Sequence, residues 1–370
     1  MLKKLRFQWI FAALALLPAC KKDPKQPADA TGYAPHYINP ALLFPSIFGM
    51  PDLPKNNPLT EEGVFLGRML FYDPVLSFDS SISCSSCHDQ KHAFADPRKF
   101  STGVFGLKTG RNAPPLMNMA YSRVFFWDAR QKTLQEQALE PIQAHNEMAM
   151  TLPLLEKKLK QIARYKLWFK KAFNSEPDVF NTAKALEQFQ LTMVSAGSRF
   201  NQFFPKNWDV LTPDERKGAI LFNNTVDFVG GVATGADCFH CHGGQLTQQN
   251  NPNQGGISSN GLDSVLTDKG FGGISGGPLD MGTFKTPSLL NIALTAPYMH
   301  DGRFATLDEV IDHYSDHMLY NAPNLHPSIK VHAPEQIRLS PAQKAQLKAF
   351  LLSMTDTAFI NDPAFGNPFR

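Results

Sequence analysis

The chain has 370 residues, a formal charge of +3 and 43% hydrophobic residues. That length and apolar content support one large or two ordinary domains with a genuine core. Lysines are spread over helical faces such as Glu156 to Lys171 with no basic block, which excludes an electrostatic nucleic-acid binder.

Lys3, Lys4 and Arg6 precede an apolar run from Phe7 to Leu17, then Pro18-Ala19-Cys20. A charged start and a short apolar run form a secretory signal, too short to span a bilayer comfortably. Leu17-Pro18-Ala19-Cys20 resembles a bacterial lipobox and predicts lipid attachment at Cys20; an ordinary signal peptide with an incidental cysteine is the alternative. Residues 21–53 are rich in Pro, Lys, Ala and Asn and read as a flexible tether.

Leu59-Thr60-Glu61-Glu62 is a capping-type helix start leading into Gly67-Arg68-Met69-Leu70-Phe71. Thirteen residues after Phe71 comes Cys84-Ser85-Ser86-Cys87-His88, the form that attaches a c-type haem: two thiols bond the vinyl groups and the histidine ligates the iron. About ninety residues separate this motif from the amphipathic helix expected over Asn181 to Phe200, more than a small haem domain needs. An insertion of that size suggests a site, and it contains Arg111-Asn112, Phe126-Trp127-Asp128, Glu136-Gln137-Ala138 and His145-Asn146-Glu147-Met148.

The pattern then repeats. Leu211-Thr212-Pro213-Asp214-Glu215 leads into Gly218-Ala219-Ile220-Leu221-Phe222, and 16 residues later stands Cys238-Phe239-His240-Cys241-His242. This is an internal duplication. A zinc ribbon would pair two Cys-x-x-Cys turns at 15 to 20 residues, a spacing absent here. Gly255 to Gly282 reads as a long, mobile surface loop, and Ser340 to Thr355 as the second closing helix. The expected fold is mainly α: two cytochrome c-like helical domains, each with one covalently bound c-type haem. The expected boundaries are 1–20 signal, 21–53 linker, 54–207 first haem domain, 208–357 second haem domain and 358–370 tail.

Both haem motifs, Arg-Asn-x-Pro, Phe-Trp-Asp-x-Arg, Glu-Gln-Ala, Asn-Glu-Met, Thr-Pro-Ser-Leu and Ala-Pro-Tyr-Met-His-Asp-Gly occur in that order from Leu59 to Thr355. In this the chain resembles the bacterial di-haem cytochrome c peroxidases and the MauG-type di-haem oxidases. The resemblance implies a peroxidatic first haem on His88 and an electron-transferring second haem on His242. It further implies Trp127 between the haems, Glu147 as catalytic acid, Gln137 as the amide beside it, and a calcium ion on Asn112, Thr295 and Pro297. On the residues alone, Glu147 also reads as a solvated helix-end glutamate, Trp127 as core, Asn112 as a turn residue and His145 as a surface histidine.

Two departures from the peroxidase pattern stand out. Where many di-haem peroxidases carry a distal histidine, Ser101 to Leu107 has none, which predicts an open first iron. Fourteen residues after His300, where peroxidases place a ligating methionine, stands Tyr314, as in MauG-type oxidases. It lies on a helical stripe with Leu307, Val310, Ile311 and Met318. Met318 or His317 is the alternative ligand, with Tyr314 then an ordinary core residue. His313 and His317 read either as a metal pair or as a solvated face.

These readings predict an exported oxidoreductase of the cytochrome-c peroxidase type, periplasmic and lipid-anchored to the outer membrane of a Gram-negative bacterium. It would reduce hydrogen peroxide with electrons from a small cytochrome c or cupredoxin, with membrane contact through the N-terminal lipid and homodimerisation by analogy. The alternatives are a MauG-like oxidase that uses high-valent haem iron on a protein or organic substrate, and a non-catalytic di-haem carrier. A methylamine-pathway substrate is not implied, because Ala236 stands where those enzymes carry a surface tryptophan.

Overall fold

The computed structural model describes residues 33–204, 207–248, 256–331 and 336–370; the signal segment, Cys20 and the first part of the expected tether, 21–32, lie outside them. Residues Pro35–Arg370 make one compact, mainly helical unit.

Its frame is two helix pairs built alike. Helix α1 (Glu61–Tyr72) begins at Thr60, whose hydroxyl accepts from the Gly63 amide at 3.0 Å. After the first haem motif come α2 (Leu134–Gln143), α3 (Leu152–Lys160), α4 (Ala163–Phe173) and α5 (Val179–Thr192). In the second half, α6 (Pro213–Asn223) starts at the capping box of Thr212 and Glu215, and α7 (Leu307–Asp312) and α8 (Pro341–Leu352) follow. Helix α1 packs on α5, and α6 packs on α8.

Glycine sets both crossings. A Cβ on Gly67 would lie 1.9 Å from the Ala185 carbonyl oxygen and 2.8 Å from Phe189 Cβ. One on Gly218 would lie 2.0 Å from the Gln346 carbonyl oxygen and 2.8 Å from Phe350 Cβ. The repeated Gly-x-x-Leu-Phe is therefore a crossing motif: glycine admits the partner backbone, and Phe71 and Phe222 then fill the core against Phe189 and Phe350 at ring distances of 5.5 and 5.3 Å. Overpacking such a contact costs about 1–3 kcal/mol. Gly67→Ala is expected to lower the urea midpoint accordingly, whereas Gly110→Ala, at a position open to 4 Å, leaves it within about 0.5 kcal/mol.

The structure departs from three sequence expectations. The helix anticipated over Asn181 to Phe200 stops at Thr192, and only Arg199–Phe203 resumes it. Asn118 intervenes: its side chain accepts from the Ser195 amide at 2.9 Å and donates to the Ser195 carbonyl at 3.0 Å, taking backbone groups a helix would use. Residues 35–53, read as tether, are packed. Ile38 donates to the Leu59 carbonyl at 3.0 Å, and Phe44 is buried among Leu59, Ala120, Phe125, Leu134 and Leu191. The expected tail docks back onto the first half. Arg68 Nε donates to the Gly366 carbonyl at 2.6 Å, Tyr72 to that of Phe365 at 2.7 Å, and Phe359 packs edge-on to Phe94 at 5.8 Å.

The glycine-rich stretch from 256 onward is pinned to both halves. Ile257–Ser258 pairs antiparallel with Phe284–Lys285, Asp268 is paired by Arg111 at 2.7 Å and Asp263 by Arg303 at 2.8 Å. Across the expected boundary near Asn207, Arg199 pairs with Glu215 and Phe200 packs on Phe350 at 5.7 Å.

Candidate active site

Each Cys-x-x-Cys-His motif opens onto its own cavity. In the first, Cys84–Ser86 form a 3₁₀ turn, and the His88 amide donates to the Cys84 carbonyl at 3.0 Å. Ala93 and Phe94 adopt left-handed backbone and turn the chain so that the Phe94 carbonyl meets His88 Nδ1 at 2.7 Å. That contact occupies Nδ1 and leaves Nε2 open to ligate a metal, the usual way a backbone group orients a metal-binding histidine.

Gln137 and Glu147 line the same cavity as Cys84, Cys87 and His88, in a void of about 630 Å³ counted out to its mouth. Gln137 projects from α2. Beyond α2 the chain folds back on the helix end: the Glu147 amide donates to the Ala144 carbonyl at 3.0 Å and that of Met148 to the Pro141 carbonyl at 3.1 Å. The 101–107 loop clamps this turn through backbone alone. Val104 donates to the Glu147 carbonyl at 2.8 Å, and a Cβ on Gly103 would lie 2.3 Å from the Asn146 carbonyl oxygen. Gly103 is the one residue of that loop on the cavity wall. Phe105 points outward, beside Phe78 and His145 at ring distances of 5.8 and 5.7 Å, so His145 is a surface residue.

Glu147 is thus not a solvated helix end. Burial raises its carboxyl above the ordinary range; the Arg130 charge opposes this and that of Glu140 adds to it. Arg130 belongs to a chain of ion pairs: its Nε meets Glu140 at 2.6 Å and its Nη1 meets Asp128 at 2.9 Å, and Asp128 meets Arg111 at 2.6 Å.

The second cavity is larger, about 1750 Å³ counted to its mouth, and both halves contribute to it. Cys238, Cys241 and His242 line it, with His242 Nδ1 3.2 Å from the Thr247 carbonyl. Burial pushes the His242 imidazole down to about 4, so it stays neutral and able to ligate. Trp127 lies in the wall of this cavity, donating through Nε1 to the Asn112 carbonyl at 2.9 Å.

Asn112, Thr295 and Pro297 share that wall. The Asn112 side-chain nitrogen donates to the carbonyls of Asp96 at 3.3 Å, Arg98 at 2.9 Å and Lys99 at 3.5 Å, leaving Oδ1 as its donor atom for a cation. One amide oxygen with backbone carbonyls is a neutral set that fits calcium completed by water.

Leu307, Val310, Ile311, Tyr314 and Met318 all line the second cavity. The helix widens to a π turn over His313–His317, a form common at functional sites. Burial holds the Tyr314 phenol protonated well above the usual tyrosine range, opposed by Asn260, whose Nδ2 donates to the phenol oxygen at 3.0 Å. His313 is buried with Nε2 3.1 Å from the Asn260 carbonyl, while His317 is exposed. His317 does not line the cavity. Sequence reading missed Asn260, Met299 and Lys285 on this wall. Asn260 and Lys285 meet the site only through folding of the glycine-rich stretch and its paired strand, so periodicity carries no signal for them.

A family model described as di-haem cytochrome c peroxidase matches residues 61–209. Methylamine utilization protein MauG of Methylorubrum extorquens is 33% identical over 266 residues, 70% of this chain and 70% of that protein. Cytochrome c551 peroxidase of Nitrosomonas europaea is 34% identical over 260 residues, 70% of this chain and 73% of its own. The crystal structure of a MauG-like protein associated with microbial copper homeostasis superposes with a TM-score of 0.78 at 34% identity, covering 88% of this chain and 99% of that one.

Proposed function

The chain belongs to the di-haem cytochrome c peroxidase and MauG family, and from that premise we propose that it reduces hydrogen peroxide to water with electrons from a small redox protein. In this reading its halves are two cytochrome c-like units, with one haem on Cys84, Cys87 and His88 and the other on Cys238, Cys241 and His242. Bound haem supplies an iron position where the O–O bond of peroxide is cleaved and the electrons for its reduction. The observation carrying the proposal is that Glu147 and Gln137 share a cavity with the first haem-attachment motif.

Glu147 takes the proton from the near oxygen of hydrogen peroxide and returns it to the far oxygen as that leaves as water. Gln137 holds the peroxide by hydrogen bonding, and the turn after α2 half-buries the carboxyl. Electrons enter through the second half, with Trp127 in the wall between the sites, Asn112, Thr295 and Pro297 holding calcium, and Tyr314 ligating the second iron. Export to the periplasm and a lipid anchor at Cys20 complete the proposal. Among the described residues no helix is long and apolar enough to cross a membrane. A second reading, oxidation of a protein or organic substrate, is favoured by Tyr314 on the cavity wall and by a 101–107 loop that brings no histidine to the first cavity.

The deciding experiment is titration of the as-isolated diferric protein with hydrogen peroxide, without reductant, followed by electron paramagnetic resonance and absorption. A high-spin ferric signal consumed at about one equivalent supports an open first haem. Two low-spin haems inert until an electron is added would instead indicate a reductively activated peroxidase or a carrier. Because the carboxylate form of Glu147 accepts the proton, the peroxide rate should fall as pH drops through its pKa. Burial raises that pKa, so the acid limb of a stopped-flow pH profile should lie above the ordinary glutamate value of about 4.3.

A further inference from the structure

Among the described residues, the wall of the second cavity carries one cation without a counter-charge. Lys285 lies in the two-residue strand paired with Ile257–Ser258, and its backbone amide donates to the Trp127 carbonyl at 2.8 Å. Its residue lines the cavity with Cys238, Cys241 and His242. No carboxylate stands within salt-bridge reach of its ammonium among the described residues. The only acidic residue on the cavity wall among the described residues, Asp237, is engaged by His240 Nδ1 at 2.5 Å. Lys285 is half-buried, and that burial brings its pKa down to about 8.

A buried ammonium is costly unless an anion meets it. Among the described residues the chain supplies none here, although it pairs Arg111, Arg130 and Arg303 with carboxylates. A ligand of this cavity that carries an anion would meet the ammonium.

We propose that Lys285 is the counter-ion of a carboxylate on the group bound in the second cavity, a propionate of the second haem. This rests on the two-haem reading and assigns a positioning and tuning role to a residue outside the attachment motif. A cation at this place favours the ferrous form of the second haem, offsetting the ferric preference that an anionic Tyr314 would impose. Lys285 thereby keeps the second haem usable as an electron reservoir.

The test uses holoprotein of wild type, Lys285→Gln and Lys285→Arg, with two haems per chain verified by pyridine haemochrome. Midpoint potentials come from spectroelectrochemistry, and the propionate bending band from resonance Raman spectra. For Lys285→Gln the ferrous-to-ferric ratio of the second haem at fixed potential should fall about tenfold, a shift of about 59 mV for one electron, with the propionate band displaced. The first haem should not move, and Lys285→Arg should stay close to wild type. Where the glutamine variant does not mature, Lys285→Ala carries the same expectation. Unchanged potential and an unchanged propionate band in a two-haem variant overturn this proposal alone. A wild-type chain with haem only at Cys84 and Cys87 overturns the two-haem reading along with it.

Discussion

Replacing Glu147 by glutamine should slow the reaction with hydrogen peroxide by about 10²–10⁴-fold at neutral pH, the usual worth of a positioned acid–base group. Glutamine keeps the size of the side chain and its capacity for hydrogen bonding, and removes only the ability to accept and return a proton. The contacts that fix the turn are made by backbone: Val104 donates to the residue-147 carbonyl, and Gly103 packs on the carbonyls of 146 and 147. They survive the substitution, so haem content and thermal stability should stay at wild-type levels. Stopped-flow rates across pH provide the check, and the acid limb should vanish with the carboxyl. A loss smaller than about tenfold would mean that water, or a group other than Glu147, moves the proton.

Tyr314→Met should raise the potential of the second haem by a few tenths of a volt, within the ~0.8 V that axial ligands command. A phenolate oxygen stabilises ferric iron, whereas a thioether favours ferrous iron. Burial by itself favours the neutral phenol, so an anionic Tyr314 requires the charge of ferric iron in the cavity, which reverses the local balance. The Asn260 amide, 3.0 Å from the phenol oxygen, then helps to carry the negative charge. Tyr314→Phe separates the two ligand assignments. With Tyr314 as ligand, the phenylalanine variant loses its low-spin second-haem spectrum and its potential shifts. With Met318 as ligand, also on the cavity wall, spectrum and potential stay as in wild type. Spectroelectrochemistry of the three proteins distinguishes these outcomes.

What depends on neighbours along the chain was readable from the order of residues. Two thiols and a histidine within five residues make a haem-attachment motif legible without any tertiary contact, and Thr60, Thr212 and Ser340 each cap the helix that follows them. The duplicated Gly-x-x-Leu-Phe was legible too, although its meaning as a helix crossing came from the approach of Ala185 and Gln346. Glu147 could be singled out by its place in a family motif, but its burial beside Cys84 and His88 follows from α2 ending at Gln143 and the chain folding back on it. Long-range packing places residues 35–53 against the core, ends helix α5 at Thr192 through Asn118, and returns the C-terminal segment to Arg68 and Phe94. It alone brought Asn260 to Tyr314 and left Lys285 without an anion in the second cavity. The reason is physical: caps and attachment motifs are satisfied by local bonding, whereas burial, pKa and ion pairing depend on which distant segments meet, and hydrophobic periodicity does not record that choice.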